Sequence, residues 1–395
     1  MRVLLIGPCP PPHGGISVHV SEIYQNLVAS GVTCRVLDSS AGRPGRRFGL
    51  SVVRHAFEGW TLHLHTNGHN VKSWLLALGC GLAGQFGGAS ILTLHSGMAP
   101  AYLETAPSWR RRLAALTCSL YTRVICVSTE IRSSLLSLGL DSQRLEVLPA
   151  FLGTGNPAPT ATTLWGVPPG PRPTPWSASL DEGKAGPGGP ARTRASAPLF
   201  AGGHHSPPYL LEWLAERRPV FSTVLFFRPE YGFDLLVAGL ARLRNLHPSF
   251  GCLVMGSGEQ RAEAEKRVRE AGLEESVLLL GDVDHDTCLA LMSVSDVFLR
   301  PTLEDGDSIS VREALSLGLP VVASRVGTRP SGAILFHTGD VDEMLAKIEL
   351  ALECNGSSLI TGTPDADSLA VGPSLDRLME IYRRVDVSEG SLCLN

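Results

Sequence analysis

The feature that most limits the fold is a repeated alternation of short apolar runs with longer amphipathic stretches. The first 150 residues show this alternation, and the residues after about 220 show it again. Such a pattern predicts parallel strands with helices packed on both faces of a sheet. We therefore predict an α/β protein built from two Rossmann-like units.

The predicted strands are rich in Val, Leu and Ile. In the N-terminal unit they are Val3–Gly7, Cys34–Leu37, Thr61–His65, Ile91–His95, Val124–Val127 and Leu145–Leu148. In the C-terminal unit they are Val224–Phe227, Gly251–Met255, Val277–Leu280, Val297–Leu299 and Val321–Ala323. Ligands of such sheets bind at the carboxyl ends of the strands, so we expect a site in a cleft between the two units.

Composition sets the boundaries of these units. Residues 1–152 form the N-terminal unit, residues 209–372 the C-terminal unit, and residues 373–395 a final helix and tail. The stretch 153–208 is dense in Pro, Gly, Ala, Ser and Thr, and it offers too little apolar surface to offset the entropy of ordering. We expect it to be a disordered insertion. The last helix, near Leu375–Val385, has an amphipathic pattern that would allow packing on either unit.

Charge and cysteine content exclude several classes of function. A formal net charge of −4 gives no sign of nucleic-acid binding. Nine cysteines without a CxxC pair indicate free thiols in a reducing compartment. The uncharged segment Ser73–Leu94 is interrupted by glycines, which favours a buried helix, a turn and a strand over a membrane span. We expect a cytoplasmic protein, and association with the inner face of a membrane is compatible with this reading.

The stretch Arg300–Ser324 carries the clearest chemical signal. An apolar strand leads into an acidic, Gly-containing loop and then into a helix, which predicts an anion site at the helix N-terminus. The backbone N–H groups of Ser308, Ile309 and Ser310 would face a diphosphate. Asp305 and Glu313 flank them and would bind hydroxyl groups. This combination suits a nucleotide sugar.

Five segments occur in an order and spacing that together suggest a known family. They are Gly7–Gly15, Thr93–Gly97, Val124–Ser128, Leu253–Gly258 and Arg300–Ser324. They resemble, respectively, the Gly-Gly loop, the Thr-x-His strand end, the strand before the inter-domain segment, the Gly-x-Gly turn and the E-x7-E signature of family 4 glycosyltransferases. The resemblance implies the two-domain GT-B fold and covers most of the chain outside the insertion.

The resemblance also implies the roles of individual residues. The residues assigned to catalysis are Asp305 and His95. The residues assigned to donor binding are Gly14, Gly15, Arg228, Asp307, Ser308, Ile309, Ser310 and Glu313. The chain departs from the family pattern at Asp305, where the family has Glu and where Glu304 is an alternative partner. It departs again at Tyr231, where the family has Lys.

The resemblance implies that the protein transfers a hexose from a nucleotide diphosphate sugar to a glycan or lipid-linked acceptor, as in polysaccharide biosynthesis. The anomeric configuration of the sugar would be retained. The transfer would need neither a metal nor a cofactor. Two alternatives stay open: a non-hydrolysing nucleotide-sugar epimerase, and a sugar-nucleotide-binding protein without activity. The missing Lys and the Asp at position 305 favour the second alternative.

Several of these residues also have a purely structural explanation. Ser310-Val-Arg-Glu313 matches a capping box, in which Glu313 would bond a backbone amide. Asp305-Gly-Asp307 matches a metal-binding D-x-D pair. His95 suits a core histidine, and Gly14-Gly15 a plain tight turn. We interpret Asp282–Asp286 as a solvated loop that could border the nucleotide base, rather than as a metal site.

Overall fold

A computed structural model gives the structure of the protein. It describes residues 1–11, 13–40, 46–149, 208–354 and 371–390. All but the last residue of the predicted insertion lies outside these ranges.

The N-terminal unit is a six-stranded parallel sheet with helices between its strands. Its elements are β1 Arg2–Gly7, α1 Gly15–Ala29, β2 Thr33–Asp38, α2 Arg46–Phe57, β3 Thr61–Thr66, α3 Val71–Gly84, β4 Ser90–Leu94, α4 Met98–Thr105, α5 Ser108–Ser119, β5 Arg123–Cys126, α6 Thr129–Ser137 and β6 Leu145–Val147.

The C-terminal unit is a second six-stranded parallel sheet. Its elements are α7 Pro208–Ala215, β7 Val220–Val224, α8 Phe233–Leu243, β8 Gly251–Met255, α9 Arg261–Glu270, β9 Val277–Gly281, α10 His285–Ser293, β10 Val297–Arg300, α11 Ile309–Ser316, β11 Val321–Ser324, β12 Ile334–Phe336 and α12 Val341–Cys354. The helix α13 Val371–Gly390 follows.

In each sheet the order of the strands reverses between two central strands. The first has the order β2-β1-β3-β4-β5-β6, and the second has the order β12-β11-β10-β7-β8-β9. In sheets of this kind the crevice lies where the order reverses, at the carboxyl ends of the two central strands. The crevices are therefore between β1 and β3 and between β7 and β10.

Burial on both sheet faces explains the apolar runs. Alternate residues of β1 enter different cores: Leu4 and Ile6 join the cluster under α2, α3 and α5, whereas Val3 and Leu5 join the cluster under α1. Side chains of a strand alternate between faces, so a strand covered on both sides needs apolar residues at every position. The sequence pattern of β1 follows directly from this requirement.

Helix α13 packs on the N-terminal unit, which settles the choice that the sequence left open. Leu378, Ile381 and Tyr382 share a core cluster with Val3 and Leu5. The Tyr382 hydroxyl also lies 2.5 Å from His63 Nδ1 at the centre of the first sheet. Helix α13 is thus part of the unit in which the chain begins.

The predicted strand Val224–Phe227 is wrong in position, because β7 spans Val220–Val224. Leu225 and Phe227 are buried in the core beside α8 although they lie beyond the strand. Their apolar character comes from loop packing rather than from pairing in the sheet. The strand at 220–224 therefore ends earlier than hydrophobicity alone indicates.

The uncharged segment Ser73–Leu94 forms most of α3, a glycine-containing turn and β4, as predicted. Within the described ranges, no helix combines the length and the apolar character needed to cross a bilayer.

Candidate active site

The start of α11 lies at the crevice of the second sheet, directly after the loop that leaves β10. Ser308 is its N-cap residue, and within the described part of the chain no side chain caps it. The Ser308 and Ser310 hydroxyls bond each other at 3.1 Å. The capping-box interpretation is wrong, because the helix begins at Ile309 and Glu313 therefore lies beyond its first turn. The helix dipole and the first-turn amides make this position favourable for an anion.

Asp305 lies between two buried arginines. Its Oδ2 is 2.9 Å from Arg300 Nε and 3.0 Å from Arg329 Nη2, and its Oδ1 accepts a second bond from Arg300 at 3.2 Å. Burial alone would raise the pKa of the Asp305 carboxyl, but the two guanidinium groups hold it at about 2. The carboxylate is thus engaged with protein groups. Its assigned contact with the transferred sugar stays a prediction, and neighbouring Glu304 is exposed.

Arg300, Arg329 and Asp305 together carry a net positive charge, because two guanidinium groups surround one carboxylate. The Arg300 guanidinium also lies 5.3 Å from the centre of the Tyr231 ring, at the position where the family has Lys. Sequence reasoning missed both Arg300 and Arg329. One available signal was Arg300 itself, a lone cation at the end of an apolar strand, because a buried charge requires a partner.

Asp307 forms its ion pair with a different arginine from those that bind Asp305. Its carboxylate is fully buried, and its Oδ1 accepts a bond from Arg312 Nε at 2.9 Å. The two carboxylates of the D-x-D alternative are therefore paired with different arginines. Donor binding by Asp307 stays a prediction.

Arg228 is exposed on the loop after β7. Burial lowers the pKa of His69, which follows β3, and the charges of Glu230 and Arg228 act on it as well. The loops after β3 and β7 therefore lie close enough to interact across the cleft.

Glu313 forms an ion pair within the C-terminal unit, and a residue of the N-terminal unit lies beside this pair. Its Oε1 lies 2.5 Å from Nε2 of His285 at the start of α10, and Glu22 of α1 belongs to the same cluster. Burial alone would lower the pKa of His285, but the hydrogen bond that it donates to Glu313 and the charge of Glu313, together with the charges of Glu22 and Asp286, raise it to about 9. We name Glu22, His285 and Glu313 the clasp.

The clasp should make stability depend on pH in the alkaline range. A histidine whose pKa is raised by folding stabilises the native state below its ordinary pKa of 6.5, and this contribution is lost as the pH rises through about 9. We expect the urea midpoint of the parent protein to fall between pH 6.5 and 9, and the fall to be smaller in His285→Gln. Equal slopes for the two proteins would contradict this expectation.

Glycines allow the loops of the two units to meet backbone to backbone. A Cβ added to Gly97 would lie 1.6 Å from the Asp305 carbonyl oxygen, and one added to Gly306 would lie 2.5 Å from the His95 carbonyl oxygen. Gly14 instead meets a side chain, since a Cβ added to it would lie 2.8 Å from the ring of Phe226. The loop that carries Asp305 thus touches the strand end that carries His95.

Of the two predicted glycines after β1, the Gly14 amide is already used, because it donates to Ser17 Oγ at 2.9 Å. Gly15 begins α1, and nothing lies within 4 Å of its Cβ position. Donor contact at both glycines stays a prediction.

His95 belongs to a group of buried histidines at the crevice of the first sheet. Its Nε2 lies 3.1 Å from His65 Nδ1. Both nitrogens of His63 are occupied, one by Tyr382 and the other by Thr93 Oγ1 at 2.7 Å. Burial lowers the pKa of His95 well below 6.5 and that of His19 to about 4. His95 is therefore neutral at pH 7 and partly open to the cleft.

The segment Asp282–Asp286 is not the solvated loop that the sequence suggested. Asp282 accepts a bond from the backbone N–H of His13 at 3.0 Å, across the cleft. Asp284 caps α10 by accepting from Thr287 N, and His285 belongs to the clasp. The polar residues of the segment Asp282–Asp286 therefore contact the N-terminal unit and cap a helix.

A separate pocket of about 500 Å³ lies between α4 and α6 in the N-terminal unit. Glu104, Glu130, Ser133 and Ser137 are among the residues that line it, and none of the predicted site residues does.

Comparison with known families accounts for both units. Residues 13–152 match the model of "Glycosyltransferase Family 4", and residues 213–360 match "Glycosyl transferases group 1". The chain belongs to the family 4 glycosyltransferases. As a member of this family it has the GT-B fold, with two parallel-sheet α/β units, as the sequence predicted.

Curated relatives match only part of the chain. The 2-deoxystreptamine glucosyltransferase of Streptomyces kanamyceticus is 31% identical over 144 residues, which are 35% of this chain and 37% of the relative. A GDP-mannose-dependent phosphatidylinositol monomannoside mannosyltransferase of Mycolicibacterium smegmatis is 28% identical over 131 residues, 31% of this chain and 34% of the relative. The match therefore spans about a third of the length of these relatives.

Solved structures match nearly the whole chain. Anabaena HepE in complex with UDP-glucose has a TM-score of 0.65 and 15% identity, over 97% of this chain and 100% of that one. Sucrose-phosphate synthase from Thermosynechococcus elongatus has a TM-score of 0.62 and 17% identity, over 98% and 100% of the two chains. At these identities the likeness concerns the fold alone.

Proposed function

We propose that this family 4 member transfers a hexose from a nucleotide diphosphate sugar to a glycan or lipid-linked acceptor, with retention of configuration and without a metal or cofactor at the donor phosphates. The observation that carries the proposal is the uncapped start of α11 at the crevice of the second sheet, beside the positive group of Arg300, Arg329 and Asp305. Neither the fold nor the relatives favour the epimerase alternative.

The donor diphosphate would lie against the first turn of α11, where backbone amides, the helix dipole and the net positive charge oppose the charge of the leaving group. Arg228, exposed on the neighbouring loop, would supply a further cation. Glu313 would accept hydrogen bonds from the ribose. Since Glu313 bonds His285 in the structure, the ribose would share or replace that bond.

The acceptor would be held by the N-terminal unit, where His95 directly follows β4. Its neutral imidazole can accept a hydrogen bond from a sugar hydroxyl, which a protonated one cannot. The contact between Gly97 and the Asp305 loop would keep water from the reacting carbon once both substrates are in place.

Arg228→Gln is the sharpest test of the donor site. Arg228 is exposed and no ion pair to it is found among the described residues, so its loss should leave the melting temperature of the empty protein unchanged. We expect the affinity for the best donor in a calorimetric screen of UDP-, GDP- and ADP-sugars to fall by about 10-fold, as for the loss of one charge-assisted bond.

The matched control is Arg269→Gln, since Arg269 is exposed on α9. Equal donor affinity in the two variants would remove Arg228 from the site. Donor binding without release of nucleotide in the presence of any acceptor would favour the inactive alternative, and no binding of any donor would overturn the proposed function.

A further inference from the structure

Three histidines from separate elements of the N-terminal unit bring their rings together at the crevice of the first sheet. His19 lies on α1, His65 near the end of β3, and His95 directly after β4. One nitrogen of each lies within 4.8 Å of the others. His19 and His65 are buried, and His95 is partly open to the cleft.

The spacing of the three rings suits one tetrahedral ion. Their centres are 5.1, 5.3 and 5.7 Å apart, which is close to an equilateral triangle. Three imidazoles on a zinc ion, with Zn–N distances of about 2.0–2.1 Å, have ring centres roughly 5 Å apart. The nitrogens His65 Nδ1 and His95 Nε2 are already 3.1 Å apart, near the roughly 3.3 Å expected for two ligands of such an ion.

The neighbouring residues hold this arrangement in place. The ring of His63 packs on that of His65, with centres 4.1 Å apart, and its two nitrogens are fixed by Tyr382 and Thr93. His63 therefore supports the group without being available as a ligand. Since His95 is partly open, the fourth coordination direction would face the cleft, as in zinc sites that keep one position for water or a ligand.

We propose that His19, His65 and His95 form a site for Zn²⁺ or a similar imidazole-preferring transition metal ion. The site is distinct from the donor phosphates, and it lacks the carboxylate oxygens that Mg²⁺ and Mn²⁺ prefer. An ion there would engage His95. If the proposed function holds, zinc would then compete with the reacting sugar and inhibit transfer.

The test is direct binding to the whole chain after chelator treatment and buffer exchange, at pH 7 and without any sugar. We expect one Zn²⁺ per chain by calorimetry, and visible absorption bands of tetrahedral cobalt when Co²⁺ is the probe. His19→Asn and His95→Asn should each weaken zinc binding by at least about 100-fold, more than the loss of an outer-shell partner. His337→Asn, at an exposed position, should bind as the parent does.

Circular dichroism shows whether each variant is folded, and His95→Asn carries the test if His19→Asn does not fold, because His95 is the less buried of the two. Parent protein that binds no zinc, or folded His95→Asn that binds it as tightly as the parent, would overturn the site. Equal binding of Mg²⁺ and Zn²⁺ would also overturn it. Because no sugar is present in this test, a protein that binds no zinc would not contradict the proposed function. A protein that binds no donor would likewise not contradict the zinc site.

Discussion

Replacing Asp305 by Asn should lower the free energy of unfolding by about 3–5 kcal/mol, the cost of leaving buried charges without their partner. The substitution keeps the shape of the side chain and removes the negative charge between Arg300 and Arg329, whose side chains are 8% and 3% exposed. Arg300, Arg329 and Asp305 also supply the positive charge beside α11, so disrupting their arrangement would weaken donor binding. Urea unfolding monitored by circular dichroism measures the change in the free energy of unfolding, and calorimetry measures the change in donor affinity.

The same group sets an acid limit to stability. A carboxyl whose pKa is about 2 in the folded protein and 3.8 otherwise stabilises the native state above pH 3.8, and this contribution is lost as the pH falls from about 3.8 to about 2. Asp305→Asn should lack this part of the acid transition. Asp234→Asn is the control, because Asp234 is exposed. An equal loss of stability in both variants would show that the buried Asp305 contributes no more to the stability of the protein than the exposed Asp234.

Gly97→Ala should lower the transfer rate by about 100-fold, the effect of displacing reacting groups by roughly 1 Å. The added methyl group would lie 1.6 Å from the Asp305 carbonyl oxygen, so the loops after β4 and β10 must separate. Donor affinity should change far less, because the predicted diphosphate site lies within the C-terminal unit. Steady-state kinetics and calorimetry on the same samples distinguish the two quantities.

Gly49→Ala is the matched control, since nothing lies within 4 Å of its Cβ position on α2. It should transfer sugar as the parent does. A Gly97→Ala protein with full transfer activity would show that the close contact between His95–Gly97 and Asp305–Gly306 is not needed for the reaction.

Much of the fold could be predicted because it depends on local patterns. Strands covered on both faces need apolar residues at successive positions, and β1 and β8 show this clearly in the sequence. The end of β7 could not be placed, because Leu225 and Phe227 are apolar for packing in a loop. Hydrophobicity does not distinguish these two reasons for burial.

The partners of the site residues could not be predicted in the same way. Which groups meet depends on side-chain direction between elements far apart in sequence. Asp305 meets Arg329, 24 positions later, and Glu313 meets His285, 28 positions earlier. The sequence indicated that the loop after β10 is chemically special, and the family resemblance supplied roles. Only the three-dimensional arrangement shows that the Asp305 carboxylate is already occupied by protein groups.

The return of α13 to the first sheet has a mechanical consequence. The polypeptide passes from the N-terminal to the C-terminal unit after β6 and passes back before α13, so the chain crosses between the two units twice. Any relative motion of the two units that admits substrates must therefore be accommodated at both crossings, and α13, far from the chemistry, holds the second of them to the N-terminal unit.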